Sequence, residues 1–203
     1  MIVLGGNNMN FKTTHLFVLA SASPRRKELF SLLNVPFDIV TSDVEETSVT
    51  AQNVQQYVTE VALLKTRDVA RKCPNKIVIG ADTVVVYNDT LLHKPKSREE
   101  AINHLQTLSN NTHTVLTAVA ILAPDGKEFT FVEATKVIFK DVPQPLVEAY
   151  VDSGDPFDKA GGYGIQTDGV FFVDRIEGDY NNVVGLPIAS LVENLLSLRY
   201  ISI

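Results

Sequence analysis

The chain alternates between short apolar runs and segments in which apolar residues recur every three or four positions. The first pattern predicts buried strands, and the second predicts amphipathic helices. The predicted strands lie at residues 16–20, 37–40, 77–79, 84–87, 91–92, 113–122, 128–139 and 170–176. The predicted helices lie at residues 24–33, 53–72, 97–108 and 145–151, and a last one begins at Pro187. Because the turn signal Pro124-Asp125-Gly126 joins two strands into an antiparallel hairpin, we expect an α/β fold with a mixed sheet.

Length and composition indicate an ordinary globular protein. The 203 residues, 45% hydrophobic and 21% charged, are enough for one large domain or two small lobes around a sizeable core. We expect one domain at residues 16–203, preceded by a mobile arm at residues 1–15 that lacks the basic region of a secretory signal. No apolar run approaches the roughly 20 residues of a membrane span, so no membrane partner is expected.

The net charge bears on the binding partners, and the cysteine content bears on the cellular location. A net charge of −6 argues against a surface that binds nucleic acid, because such a surface needs a basic excess. The single cysteine, Cys73, permits no internal disulfide, which fits a reducing compartment and predicts a cytoplasmic location.

The segment SASPRRKELF at residues 21–30 predicts an anion site. Ser23 and Pro24 are typical of a helix N-cap and first helical position. Arg25 and Arg26 then oppose the helix dipole, which favours negative charge at this end. Free amides, a hydroxyl and two guanidinium groups together would suit phosphate. Two solvated arginines on a surface helix would explain this segment, taken alone, equally well.

Three further charged residues are candidates for the same site, although Lys94 taken alone would indicate nothing. Lys65 lies in the middle of an apolar helical face, where it either reaches an edge or meets a buried anion. Lys94 follows a predicted strand. Asp82 lies in Gly80-Ala81-Asp82-Thr83, which interrupts an apolar run and predicts a bulge or a close approach of the backbone. A structural role in hydrogen bonding is the alternative for Asp82.

The glycine-rich segment at residues 153–166 has the composition of a loop that approaches a ligand closely. It contains Asp155, Asp158, Lys159 and Gln166, but it matches neither a P-loop nor a dinucleotide-binding fingerprint. The cations would suit a polyphosphate, and carboxylates near them, Glu46 and Asp82, would suit a divalent metal. These residues therefore predict a metal-dependent enzyme that acts on a phosphate ligand.

Several motifs, in order along nearly the whole chain, carry a family resemblance. They are LASASPRRKELF, the acidic DVEE, the helical Lys65, IGADTVV, HKP, and DKAGGYGIQ followed by NVVGLP. Together they resemble the Maf family of nucleotide pyrophosphatases. The resemblance implies an elongated mixed sheet with flanking helices and two lobes around a cleft, as in the inosine-triphosphate pyrophosphatases. It also implies hydrolysis of a nucleoside triphosphate to the monophosphate and pyrophosphate, a divalent metal such as Mg²⁺ or Mn²⁺, and a homodimer.

The resemblance also implies roles for particular residues. Asp82 matches the family's general base and, with Glu46, its metal ligands. The expected substrate-binding residues are Ser23, Arg25, Arg26, Lys65, Thr83, Lys94, Lys159 and Gln166. The intact AGGYGIQ resembles the branch that acts on dTTP and UTP rather than on 7-methyl-GTP. His93 departs from that branch, which usually has an acid there. A nucleotide-binding module of the same fold without turnover is the alternative function.

Overall fold

A computed structural model describes residues 10–45 and 49–203, and the seven strands in these residues form one mixed sheet. The strands are β1 (Phe17–Ala20), β2 (Phe37–Ile39), β3 (Ile77–Tyr87), β4 (Thr90–Leu92), β5 (Thr112–Leu122), β6 (Glu128–Phe139) and β7 (Val173–Glu177). Their order is β2-β1-β3-β5-β6-β7, and β4 also pairs with β3. β1 runs parallel to β2 and β3, whereas all other pairs are antiparallel. The mixed sheet predicted from the sequence is therefore confirmed.

The helices pack on both faces of this sheet. They are α1 (Pro24–Ser31), α2 (Val54–Lys72), α3 (Arg98–Leu108), α4 (Gln144–Asp152), α5 (Tyr180–Val184) and α6 (Ile188–Ser197). Side chains cap four of them: Asn53 accepts from Gln56 N at 2.8 Å, Ser97 from Glu100 N at 3.1 Å and Asp179 from Asn181 N at 2.8 Å. The cap of α1, from Arg26 N to Ser23 Oγ, is longer at 3.5 Å.

Two apolar clusters divide one face of the sheet. Ala81 of β3 belongs to the cluster that packs with α1 and α6, and Val85 belongs to the cluster that packs with α3 and α4. Between them on the same face of β3 lies Thr83, opposite Thr117 of β5. The other face is covered by α2. This polar break between two cores corresponds to the two lobes around a cleft that the family resemblance implies.

Of the two features predicted for residues 80–83, a β-bulge and a close approach of the backbone, the β-bulge was wrong. The register with β5 continues from Val78 to Val86 without a shift, so Asp82 lies inside one regular strand. The alternative, close approach of the backbone, is what the structure has at Gly80. A Cβ there would lie 2.1 Å from Thr66 Oγ1 of α2, so only glycine permits this packing.

Two other segments differ from the sequence prediction. Residues 168–172 form a 3₁₀ turn, and β7 begins only at Val173. The short helix α5 was not predicted. In the expected N-terminal arm, residues 10–15 contact the C-terminal segment: Lys12 pairs with Ser202, and Thr13 Oγ1 donates to Tyr200 O at 2.8 Å.

Candidate active site

A gap in strand pairing opens a cavity along one edge of β3. β1 pairs with β3 only as far as Gly80, and β4 begins to pair with it at Val85. Among the described residues no strand pairs with residues 81–84 along this edge, so side chains from both faces of β3 reach the opening. The cavity there has a volume of about 440 Å³, which is within the usual range of small-molecule sites.

The cavity is strongly positive although the protein is acidic. Its described lining contains five cationic side chains and two carboxylates, which gives an excess of three positive charges in a chain of net charge −6. The cations are Arg25, Arg26, Lys65, Lys94 and Lys159, and the carboxylates are Asp82 and Asp158. Such a concentration of positive charge in a concave site attracts a polyanion.

The N-terminus of α1 forms one wall of the cavity because β1 ends there. Arg25 Nη1 forms an ion pair with Asp158 Oδ2 at 3.0 Å. Arg26 Nε donates to Gly185 O at 2.7 Å, and its Nη2 donates to Thr83 Oγ1 at 2.9 Å. The two arginines therefore contact partners on other elements, and the alternative of two solvated arginines on a surface helix was wrong.

Lys65 and Asp82 meet at the edge of β3. Lys65 Nζ lies 2.8 Å from Asp82 Oδ1, and the aspartate is only 8% exposed. The lysine comes from the face of α2 that packs on the sheet, so its position in the apolar arc is explained by a buried anion. Two outcomes were expected for Lys65: its side chain could extend to the border of the apolar face and into solvent, or it could meet a buried anion. The structure has the second.

Lys94, Gln166 and Lys159 complete the predicted lining, but they differ in their partners. Lys94 and Gln166 are exposed and face the cavity. Lys159 is 7% exposed, and its ammonium donates to Asp155 O at 2.7 Å, Asp155 Oδ1 at 2.8 Å and Asp158 Oδ1 at 2.6 Å. Because an ammonium group has three donors, these contacts use all of them within the protein.

Asp158 links the two sides of the cavity. Burial works to raise the pKa of its carboxyl group, but hydrogen bonds from Lys159 and Arg25 outweigh this effect, and the pKa is lowered. The carboxylate is therefore charged at neutral pH, with one oxygen on each cation. Thr83 Oγ1 also lies 2.9 Å from Thr117 Oγ1. Neither this hydrogen bond nor the bridge through Asp158 was predicted, since nothing local in the sequence indicates which distant residues pair.

The described lining offers one carboxylate, that of Asp82, as a ligand for a divalent metal. Within residues 10–45 and 49–203 no group of three His, Cys, Asp or Glu side chains could hold a metal by itself. Mg²⁺ usually takes one or two carboxylates together with substrate phosphates, and Asp82 supplies a carboxylate beside the cationic wall. Glu46, the other predicted ligand, lies outside the described residues.

Two histidines, His93 and His113, differ in their exposure and in their contacts. His93, the departure from the family pattern, is exposed next to Lys94, and its ring makes an edge contact with Tyr57 of α2. His113 is buried, and its Nε2 lies 2.7 Å from Tyr163 OH, which indicates a structural role.

Comparisons with known sequences agree with the predicted family. A family model described as Maf-like protein matches residues 16–198. A protein from Geobacillus sp. (strain WCH70) named dTTP/UTP pyrophosphatase is 49% identical over 183 residues, which are 90% of this chain and 98% of that protein. One of the same name from Bacillus cereus is 50% identical over 178 residues, 88% of this chain and 93% of that protein.

Solved structures show the same fold at low sequence identity. The Ham1 protein of Staphylococcus aureus superposes with a TM-score of 0.52 and 17% identity, covering 91% of this chain and 99% of its own. A HAM1 protein from Coxiella burnetii gives a TM-score of 0.52 at 14% identity, covering 91% and 100%. In the described part of the chain, no helix has the length and apolar character needed to cross a membrane.

Proposed function

The chain belongs to the Maf-like protein family, and on this premise we propose that it hydrolyses dTTP and UTP to the monophosphate and pyrophosphate. The observation that carries the proposal is the partly buried Lys65–Asp82 pair in a cavity whose described lining has an excess of three positive charges. The cationic excess suits the triphosphate, and a carboxylate at the edge of that charge suits activation of water. The names of the similar proteins support the choice of nucleotide.

In the proposed reaction Asp82 is the general base. It takes a proton from a water molecule whose oxygen attacks the α-phosphorus. The bond from the α-phosphorus to the bridging oxygen breaks, and pyrophosphate leaves. The Lys65 ammonium, whose nitrogen lies 2.8 Å from Asp82 Oδ1, fixes the orientation of the carboxylate before the attack. A strand interior is a rigid support for such a base, which favours accurate positioning.

The wall at α1 would hold the phosphates. Ser23 and Arg25 line the same cavity as Lys94, so they would surround a triphosphate from two sides. A divalent cation, held by Asp82 and Glu46, would neutralise phosphate charge and polarise the phosphorus–oxygen bonds when bound. Charge that develops on the leaving pyrophosphate would be stabilised by the same cations.

Gln166 and Thr83 would read the base. A carboxamide has both a donor and an acceptor, so it can pair with the alternating groups on a pyrimidine edge. Thr83 lines the cavity beside Arg26 and accepts its hydrogen bond. We therefore expect Gln166→Ala to change the preference among bases more than the rate on the best one. Steady-state kinetics on UTP, dTTP and CTP would check this, and an equal loss on all three would contradict it.

The decisive experiment resolves the products from a panel of nucleoside triphosphates. With Mg²⁺ or Mn²⁺ we expect monophosphate and pyrophosphate from dTTP and UTP, and loss of activity with EDTA that added metal restores. Release of diphosphate and free phosphate would refute pyrophosphate release. Binding without turnover of any triphosphate would identify the chain as a binding module.

Asp82→Asn tests the base directly. The variant should bind nucleotide in the presence of metal but lose at least two orders of magnitude in kcat, because an amide cannot take the proton. The matched control is Asp152→Asn, which neutralises a carboxylate in an exposed pair with Arg98 outside the cavity. Near-normal turnover by Asp82→Asn would remove this residue from the mechanism.

The cellular setting completes the proposal. The family resemblance implies a homodimer, and the single cysteine, Cys73, fits a reducing cytoplasm. Light scattering during size-exclusion chromatography would test the dimer, and fractionation of the source cells would test the location.

A further inference from the structure

One carboxylate, that of Asp155, holds the segment at residues 164–167 in place. Its Oδ2 accepts from Tyr150 OH at 2.5 Å and from Thr167 Oγ1 at 2.6 Å. Its Oδ1 accepts from Lys159 Nζ at 2.8 Å. Thr167 has one hydroxyl hydrogen, and the carboxylate is closer than its other acceptor, Gly164 O at 3.1 Å. Asp155 is not itself in the lining of the cavity.

Both ends of this segment are tied to Asp155. At one end Gly164 N donates to Tyr150 OH at 3.1 Å, and Tyr150 in turn donates to the carboxylate. At the other end Thr167 donates to it directly. The segment fits closely, because a Cβ at Gly164 would lie 2.6 Å from Lys159 Cε and 2.7 Å from Thr167 Oγ1.

Gln166 lies between these two ties. Its neighbour Ile165 is buried in the core cluster with α1 and α6, so the backbone turns Gln166 to the opposite side. There the Gln166 side chain is exposed and lines the cavity. The backbone of Gln166 therefore has little freedom, because Ile165 on one side is buried and Thr167 on the other is hydrogen-bonded.

The charge of the Asp155 carboxylate is secured by its surroundings. Burial works to raise the pKa of Asp155, but the hydrogen bonds from Lys159, Thr167 and Tyr150 together lower it. The ionised group can therefore accept at both oxygens. Lys159 connects the same carboxylate to Asp158 and so to the wall at α1.

We propose that Asp155 is a positioning residue that fixes Gln166 for selection of the base, acting through Thr167 and Tyr150. Lys159 belongs to this arrangement as the counter-ion of Asp155 and Asp158 rather than as a ligand of the triphosphate. The inference rests on the proposed function, because it assigns the base-reading role to Gln166.

The test removes one tie and leaves the charges unchanged. Thr167→Val keeps the shape of the side chain but cannot donate to Asp155, whereas Thr167→Ser keeps the hydroxyl group. We expect Thr167→Val to lower the ratio of kcat/KM for UTP to that for CTP by about tenfold, the effect of one net hydrogen bond. Thr167→Ser should restore the ratio. The control is Ser190→Ala, which removes a hydroxyl that donates to Glu133 at 2.9 Å away from the cavity lining.

A double-mutant comparison separates positioning from a general loss of stability. If Thr167 acts through Gln166, adding Thr167→Val to Gln166→Ala should leave the UTP-to-CTP ratio unchanged. Additive effects on that ratio, or equal ratios in Thr167→Val and wild type, would overturn the proposal. Absence of pyrophosphate from wild type in the same assay would instead refute the proposed function.

Hydrogen exchange tests the role of Asp155 without substrate, whether or not the protein releases pyrophosphate. Hydrogen exchange of a peptide covering residues 160–168 should be faster in Thr167→Val and in Tyr150→Phe than in wild type or Ser190→Ala, because each variant removes one of the two ties. Unchanged exchange in both variants would show that Asp155 does not hold this segment.

Discussion

The buried His113 predicts a loss of stability in mild acid. It is 2% exposed on β5, with its ring edge-on to Phe139 and Tyr163. Nε2 is paired with Tyr163 OH, but Nδ1 is buried and has no hydrogen-bond partner among the described residues. Protonation would place a charge and a second donor at this site without an acceptor. Burial accordingly lowers the pKa of His113 to about 4.

The magnitude follows from the difference between the folded and unfolded states. An unfolded histidine has a pKa of about 6.5, so the unfolded chain binds a proton before the folded one does as the pH falls. The contribution of neutral His113 to the free energy of unfolding is therefore fully present above pH about 6.5 and is lost progressively as the pH falls to about 4. Between pH 7 and pH 5 the loss in free energy of unfolding is about 2 kcal/mol. For a domain of this size it lowers Tm by about 4–8 °C.

Urea unfolding of wild type and His113→Gln at pH 7 and pH 5 would measure this loss. Glutamine can keep a hydrogen bond to Tyr163 but does not titrate, so the fall in stability should be about 2 kcal/mol smaller in the variant. The pKa of His104 is also lowered by burial, but His104 titrates in both proteins and cancels from the difference. His93→Gln, at an exposed position, is the control. An equal fall in wild type and His113→Gln would refute the reasoning.

Two substitutions test the packing and charge along β3. Gly80→Ala should destabilise the protein by about 1–3 kcal/mol, because its Cβ would overlap Thr66 Oγ1, and an unchanged Tm in thermal unfolding would contradict this packing. Lys65→Met should lower kcat by about a hundredfold or more, since it removes the ammonium beside the proposed base. The control for it is Lys127→Met, an exposed lysine outside the cavity, and equal kinetics of the two variants would count against a role for Lys65.

Local signals predicted the elements and the pairing within one hairpin, but not the pairing of strands that are distant in the sequence. The N-cap of α1, the 53–72 helix and the hairpin at residues 124–126 each depend on neighbouring residues, and each was confirmed. The polar residues at 82–83 were interpreted as a break in β3. They lie instead in a regular strand whose edge is open because β1 ends at Ala20, and the length of a partner strand cannot be read from the strand itself.

The same limit applies to the charges of the site. Five cations were predicted to hold the substrate, and all five line the cavity. The sequence could not show that Lys159 gives every donor to two aspartates, because those contacts depend on the 3₁₀ turns of residues 155–162. Helix α5 was missed since five residues are too few to display helical periodicity.

Arg25 and Arg26 carry positive charge at the N-terminus of α1, where the helix dipole favours negative charge. The partners of their guanidinium groups explain how these charges are accommodated. Arg26 is held by the carbonyl of Gly185 and by Thr83, which makes it a fixed cation in the wall. Arg25 pairs with Asp158, whose side chain is 61% exposed, and ion pairs with an exposed partner contribute about 0–1 kcal/mol. A triphosphate carries several negative charges and can replace that single carboxylate at little cost in free energy. Asp158 would keep its contact with Lys159 when Arg25 turns to the triphosphate. The helix therefore presents one preorganised cation, Arg26, and one cation that can change partners, Arg25.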